Sequence, residues 1–437
     1  MRKTILHNML VPYLSISFII LSLFLQPFPE LLKGYGKIIT SESILLTDYV
    51  SVGGIGPALF NSGTLMLLSY FIIKRLDLRV TGSIFAGILT IGGFAFFGKN
   101  ILNVSIIFLG VLLYSKYKHI SLKSVIIVFL FSTGLSPVSS VLMFGIGIPL
   151  IYSIPLGAFI GVLSGFLIVE ISTHVITFHQ GYNLYNVGFA GGILTFGYFS
   201  IFKLLNIDYS TNLIYTNSQH ITLLYLYIVI CLIFIFVGLY YNQKPIKDYF
   251  KILKLSGRAV TDFTRNNNQP LTMINIGITG LAALLIILIL NVHMNGPVFG
   301  GLLTIVGFSA FGKHPRNVLP PMVGVLIMIL IFNMELSIIL VLAIIFASAL
   351  APLSGEYGVI VGVLSGMLHL PIAISLGQLH GGVLLYSNGF AAAFTAVIML
   401  TLIQTLKRRD YHATTWEYEK CKNYWRNYWL FIRKWLS

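Results

Sequence analysis

Apolar residues in this chain do not recur with a helical or strand period; they run on without interruption. Such stretches occupy 8–27, 57–73, 81–97, 101–115, 122–136, 141–172 and 184–204, then 222–242, 271–290, 296–312, 317–332, 336–350, 357–375 and 383–406. Charged residues collect in the intervals. A helix needs about 20 apolar residues to cross the hydrocarbon core, whereas a transmembrane barrel would alternate in segments of about ten. The pattern predicts an all-α integral membrane protein with about seven apolar segments in each half. Several segments are too short to span alone and are expected to be broken or re-entrant helices. Residues 8–27, behind Arg2 and Lys3, resemble a signal peptide in layout. Their length and a related copy inside the chain favour a retained transmembrane helix.

The two halves are related. Residues 82–113 and 296–327, at an offset of 214, share sixteen of 32 positions. Among them are Lys99/Lys313 and Asn103/Asn317, which hydrophobic bias cannot produce. The same offset pairs Asp48 with Asp262, Asn61 with Asn275 and Gly63 with Gly277. Further on it falls to 201, pairing Gly161–Gly165 with Gly362–Gly366, and His179, Tyr185 and Gly188 with His380, Tyr386 and Gly389. The first half therefore carries extra residues near 140–155. A weaker motif, Gly98-Lys99-Asn100 followed by Asn103-Val104, recurs at Gly181-Tyr182-Asn183 and Gly312-Lys313-His314, with a degenerate copy near Gly382. The expected organisation is a first repeat over 1–215, a second over 216–406 and a basic tail over 407–437.

Charge then sets orientation. Loop 28–48 carries a net −1 and its counterpart 243–268 a net +4. Loop 74–80 holds Lys74, Arg75 and Arg79, and loop 116–123 holds Lys116, Lys118 and Lys123. Their counterparts at 291–295 and 332–337 hold no lysine or arginine. Basic residues stay on the cytoplasmic side, so equivalent loops are expected on opposite faces and the halves as inverted repeats. Both termini are then cytoplasmic. Only 9% of the 437 residues are charged against 57% hydrophobic, which excludes an ordinary soluble enzyme. The net charge of +15 is assigned to topology rather than to nucleic acid. Cys231 and Cys421 form no disulfide framework or metal spacing. The tail holds all four tryptophans, Trp416, Trp425, Trp429 and Trp435, and reads as an interfacial anchor or, on a scaffold reading, a partner-binding segment.

Candidate chemistry sits at the glycine–asparagine breaks. A helix interrupted at membrane depth needs protein or water to satisfy its freed backbone groups. Asparagine caps a half-helix and still offers a donor and an acceptor to a solute. Asn103, Asn183, Asn186 and Asn317, with Asn100, are therefore candidates for a permeation site, or else simple caps. Lys99 and Lys313, with His314 and Arg316, would draw anions if they line a funnel. His179 and His380 recur in both halves and are pore-lining candidates. Phe94, Phe97, Phe308 and Phe311 recur too and could form slots. Glu170 and His174, four apart on one helix face, are candidates for proton coupling. No Walker loop, HExxH motif or metal spacing is present, so neither an enzyme nor a cofactor is expected.

The segment Gly161–Gly192 resembles the urea transporter family, in which a small-residue helix leads into G-Y-N-x-x-x-x-G, here Gly181-Tyr182-Asn183 and Gly188. Asn61-Ser62-Gly63 is similar to that family's pore-helix signature without its proline. The resemblance implies two inverted halves around a pore, a homotrimer and passive passage of urea through aromatic slots. The chain as a whole also resembles an uncharacterised family of bacterial polytopic membrane proteins, a domain of unknown function, which implies a plasma-membrane location. The expected function is a channel or facilitator for a small polar solute, urea- or amide-like or a small anion. The lipid bilayer is its other partner. A proton- or ion-coupled anion carrier and a membrane scaffold without flux are the alternatives.

Overall fold

The computed structural model of the chain describes residues 8–43, 47–207, 213–215, 220–259, 261–265, 269–380 and 387–407. Among these, regular structure is helical throughout, apart from isolated bridges between Thr47 and Ile214 and between Asp48 and Phe97. Among the described residues nine helical segments are long and apolar enough to cross a bilayer, which makes this a multi-pass membrane protein. The pair α1 (Val11–Leu25) and α2 (Phe28–Ile39) is long and apolar enough only when taken together, and it turns through 117°. The bend falls where Gln26 precedes Pro27 and is held extended, at φ −149° and ψ 135°. Helix α2 buries Leu31, Gly34 and Ile38 and exposes Glu30, Lys33 and Lys37, as an interfacial helix does.

The first half continues with α3 (Tyr49–Gly53), α4 (Ile55–Arg75), the short α5 (Gly82–Phe94) and α6 (Ile101–Tyr117). Helices α7 (Ile126–Ser132) and α8 (Ser136–Phe144) flank a 3-10 turn over Thr133–Leu135, and α9 (Leu150–Val175) and α10 (Asn186–Leu204) follow. The second half has α11 (Ile221–Tyr241), the single turn α12 (Tyr249–Ile252), α13 (Gln269–Ile289), the short α14 (Gly296–Phe308) and α15 (Pro315–Ile331). Helices α16 (Ile338–Phe346) and α17 (Ala351–Tyr357) flank a 3-10 turn over Ala347–Leu350 before α18 (Val359–Leu379) and α19 (Ser387–Lys407). One compact unit ends at Ala396, within α19.

Equivalent residues make equivalent contacts. Helix α4 packs on α1 at Gly63, where an added Cβ would lie 2.7 Å from the Ser15 carbonyl oxygen. Helix α13 packs on α11 at Gly277, 2.3 Å from that of Cys231. Helices α6 and α9 meet at Gly110 and Gly165; α15 and α18 meet at Gly324 and Gly366. Such small-residue contacts let membrane helices approach to backbone distance. Helices α5 and α14 run antiparallel against each other. Gly93 lies on Gly300, Gly307 on Ala86, and the start of each helix on the end of the other.

The broken spans are the most buried, and α9, α11 and α18 the most exposed. The exposed surface is itself apolar, with Phe24, Ile151, Leu204, Phe236 and Ile360 facing outward. A belt of this kind suits lipid. One boundary differs from the sequence pattern: the 141–172 stretch is two helices separated by Gly145–Pro149. The turn is apolar, Gly-Ile-Gly-Ile-Pro, with Gly147 at φ +70°, so hydropathy hides it. The second half makes the same passage through Gly358 alone, which places the extra residues of the first half here.

Candidate functional site

The chain between α5 and α6, and its equivalent between α14 and α15, forms a tight turn carrying a lysine. Each turn is held by an asparagine from a neighbouring helix. Asn61 Nδ2 donates to the carbonyls of Ala95 (2.8 Å) and Lys99 (2.7 Å). Asn275 Nδ2 donates to those of Ser309 and Lys313, both at 2.8 Å. These bonds satisfy backbone groups that the break frees from the helical ladder. The following helices are capped alike. Asn103 Oδ1 accepts from the Asn100 N–H and its Nδ2 donates to Gly98 and Ser140. Asn317 Oδ1 accepts from the His314 N–H and its Nδ2 donates to Gly312 and, at 3.4 Å, to Ser256. These asparagines spend their amide N–H groups on holding the turns and their neighbours, and each turn also carries a lysine.

Both lysines are fully buried. The Lys99 ammonium lies 5.0 Å from the centre of the Phe94 ring. That of Lys313 lies 4.8 Å from the equivalent Phe308 ring and 4.6 Å from Tyr185. Lys313 Nζ also donates to the Tyr185 hydroxyl (2.6 Å) and to Ser348 Oγ (2.8 Å), the latter in the 3-10 break of the α16–α17 span. Among the described residues no carboxylate lies within ion-pair distance of Lys313. Cation–π contacts and hydroxyls only partly replace the hydration an ammonium loses on burial. A file of aromatic contacts joins the two turns. Phe94 stacks on Phe346 with centroids 5.6 Å apart, Phe346 meets Tyr185 at 6.1 Å, and Tyr185 meets Phe308 at 4.8 Å. Phe97 and Phe311 flank Phe94 and Phe308.

The α10 and α19 N-termini meet beside this file. Gly188 approaches Gly389, and the Phe189 and Phe390 rings lie 5.5 Å apart. Asn183 Nδ2 donates across to the Gly389 carbonyl, and His380 Nε2 to that of Gly192. Asn186 Nδ2 donates to Ser172, so its Oδ1 accepts from His179 Nε2 at 3.0 Å. His179 Nδ1 in turn accepts from the Asn183 N–H. The neutral ring therefore uses both nitrogens. Burial pushes the His179 pKa down to about 4, against the Asn186 bond, which favours the charged form. His380 thus bonds across the junction of the halves, while His179 holds Asn183 and Asn186 from within the first half.

Glu170 and His174 do form a pair, 3.6 Å apart, at the end of α9. Tyr114 donates to the same carboxylate at 2.5 Å and Lys118 approaches at 3.9 Å, but Glu170 and His174 are half or more exposed and apart from the lysine turns. An open apolar crevice of about 500 Å³ lies between α10 and α19, lined by Phe178, Phe189, Phe390 and Phe394, with no lysine. Sequence reasoning missed Ser348 and Phe346, which carry no motif, and left Tyr185 as a mere repeat match. Tyr386, Gly382 and the tryptophan-rich tail 408–437 lie outside the described residues.

A family model described as a protein of unknown function, DUF1576, matches twice, over residues 28–204 and 241–405. No curated protein and no solved structure matches the chain.

Proposed function

This chain belongs to the DUF1576 family, proteins of unknown function, and we propose that it is a facilitative transporter or gated channel for a small polar solute. The observation that carries the reading is the pair of equivalent turns, each placing a fully buried lysine on an aromatic ring, joined by the file through Phe94, Phe346, Tyr185 and Phe308. An ionisable group buried among membrane helices is by default a candidate for a solute path. Because both lysines are buried, the path is gated: a solute reaches them only when rings move aside.

In this reading the halves are inverted repeats. Among the described residues there are ten candidate spans if the bent pair counts as one, five in each half, with the short helices α5–α6 and α14–α15 as hairpins. An odd number of crossings turns the second half over. Charge agrees, since loops 74–80 and 116–123, at the two ends of the first hairpin, are both basic, while 291–295 and 332–337 lack lysine and arginine. The lysine turns then lie toward opposite faces. Asn100 bonds to Ile38 on the 28–48 side, and His314 to Leu255 on the basic 243–268 side. Both termini are cytoplasmic and the membrane is the plasma membrane.

Flux into proteoliposomes tests the proposal, using urea, short amides, formate, acetate and inorganic anions, each with and without a proton gradient. Flux indifferent to the gradient and lost in Lys99→Met or Lys313→Met is the expected result. The Glu170–His174 pair favours a second reading, a proton-coupled carrier, and flux that follows the gradient and fails in Glu170→Gln would establish it. The scaffold reading rests on the tail; it would be favoured by an absence of flux from folded protein together with a phenotype on deleting 408–437.

A further inference from the structure

We infer that the permeant is a small monovalent anion bound at Lys313, between the Tyr185 hydroxyl and Ser348; this rests on the transport reading above. The donor inventory argues for it. Lys313 presents N–H donors only, and two of them go to hydroxyls. Ser348 donates its own proton to the Ile345 carbonyl and is also hydrogen-bonded to the Tyr185 hydroxyl, so the third ammonium N–H is what Lys313 has left to offer a ligand. A neutral, urea-like solute would take that donor and leave the buried ammonium without a counter-charge, whereas an anion takes the donor and supplies the charge as well.

The approach from the basic face has the same sign. Arg316 is exposed one turn of chain from Lys313, and Arg258 lies with its guanidinium 4.4 Å from the Tyr182 ring. The loop that carries Arg258 packs on the lysine turn through Gly257, which abuts the Gly312 carbonyl. Glu356, exposed at the end of α17, acts on Tyr182 rather than touching Lys313. Monovalence follows from the single buried cation: one negative charge neutralises it, and a second would be left desolvated. Small size follows from the enclosing rings of Tyr185, Phe308 and Phe346.

The test uses the full chain in liposomes of neutral lipid, with nitrate, formate and chloride as anion probes and urea as the neutral one. Saturable uptake of at least one anion is expected. Lys313→Met should cut it by about a hundredfold, as when one partner of a desolvated charge contact is removed. Tyr185→Phe should raise the half-saturating concentration several-fold while leaving elution as a folded species unchanged. Should Lys313→Met fail to fold, Tyr185→Phe decides, because it removes one hydroxyl and keeps the ring. Urea uptake without anion uptake would overturn the inference and leave the transport reading standing. Anion uptake unaltered in both variants would also overturn it, by moving the site elsewhere. No uptake of any solute from folded protein would overturn both.

Discussion

At the scale of single residues, the asparagine clamps are the parts on which the turns depend. Asn61 and Asn275 each bind two buried carbonyls, and an alanine in either place leaves both without a donor. Asn61→Ala and Asn275→Ala are each expected to cost about 1–3 kcal/mol, seen as a lowered thermal midpoint in detergent. His179 makes a pH prediction. Its pKa is held at about 4 when folded, against an ordinary value near 6.5. The folded state therefore binds fewer protons than the unfolded one between these values, and stability falls as pH drops from about 6.5 towards 4. His179→Gln keeps an amide donor and should flatten that part of the stability profile; an unchanged slope would assign the acid sensitivity to other groups. The lysines and clamps were legible because polar identities repeated at a fixed offset cannot come from hydrophobic composition. Ser348 and Phe346 were not, because their roles exist only once the 3-10 break of the α16–α17 span is brought against the Lys313 turn.

At the scale of elements, the short segments 81–97 and 296–312 were readable as helices too short to span, and they are the thirteen-residue α5 and α14. Their mutual packing was not readable, since it depends on backbone approach rather than on any side chain. A Cβ on Gly93 would lie 2.4 Å from the Gly300 carbonyl oxygen, and one on Gly300 2.1 Å from that of Gly93. Gly93→Ala and Gly300→Ala are expected to destabilise by about 1–3 kcal/mol, because the neighbour is backbone and cannot turn aside. Gly197, an exposed position of α10 with nothing within 4 Å of an added Cβ, is the control. Gly197→Ala should be neutral or stabilising by up to about 1 kcal/mol. Equal losses at Gly93 and Gly197 in parallel melts would remove the close-approach argument.

At the scale of the molecule, the topology is open to direct measurement. Asp77 and Asn291 are equivalent positions, both left-handed at φ 51° and 52°, and so are His119 and Asn333, at 53° and 46°. In a background without Cys231 and Cys421, single cysteines at 77 and 119 should react with an impermeant reagent only from the cytoplasmic side. Those at 291 and 333 should react only from outside. Labelling of 77 and 291 from the same face would sink the inverted arrangement, and labelling of 77 and 119 from different faces would sink the hairpin. The sequence carried the helical class and the duplication, because apolar run length and repeated polar residues are local or self-referential. It could not carry the file of aromatic contacts, which depends on where rings from α5, α14, α16 and the α9–α10 connection converge.

The reciprocal contact of Gly93 with Gly300 has the form of a homodimer interface folded into one chain. Two separate copies of a single half, inserted in opposite senses, would meet in this way, each helix start on the other's end. On the inverted reading, the present arrangement is what a pair of such copies becomes once joined into one chain. A pair of separate copies would have two identical lysine turns and no means of telling one face of the membrane from the other. In the single chain that equivalence is gone: one turn has Asn100 and Leu102 where the other has His314 and Arg316. Joined in one chain, the two turns are free to differ, and with them the two faces of the protein.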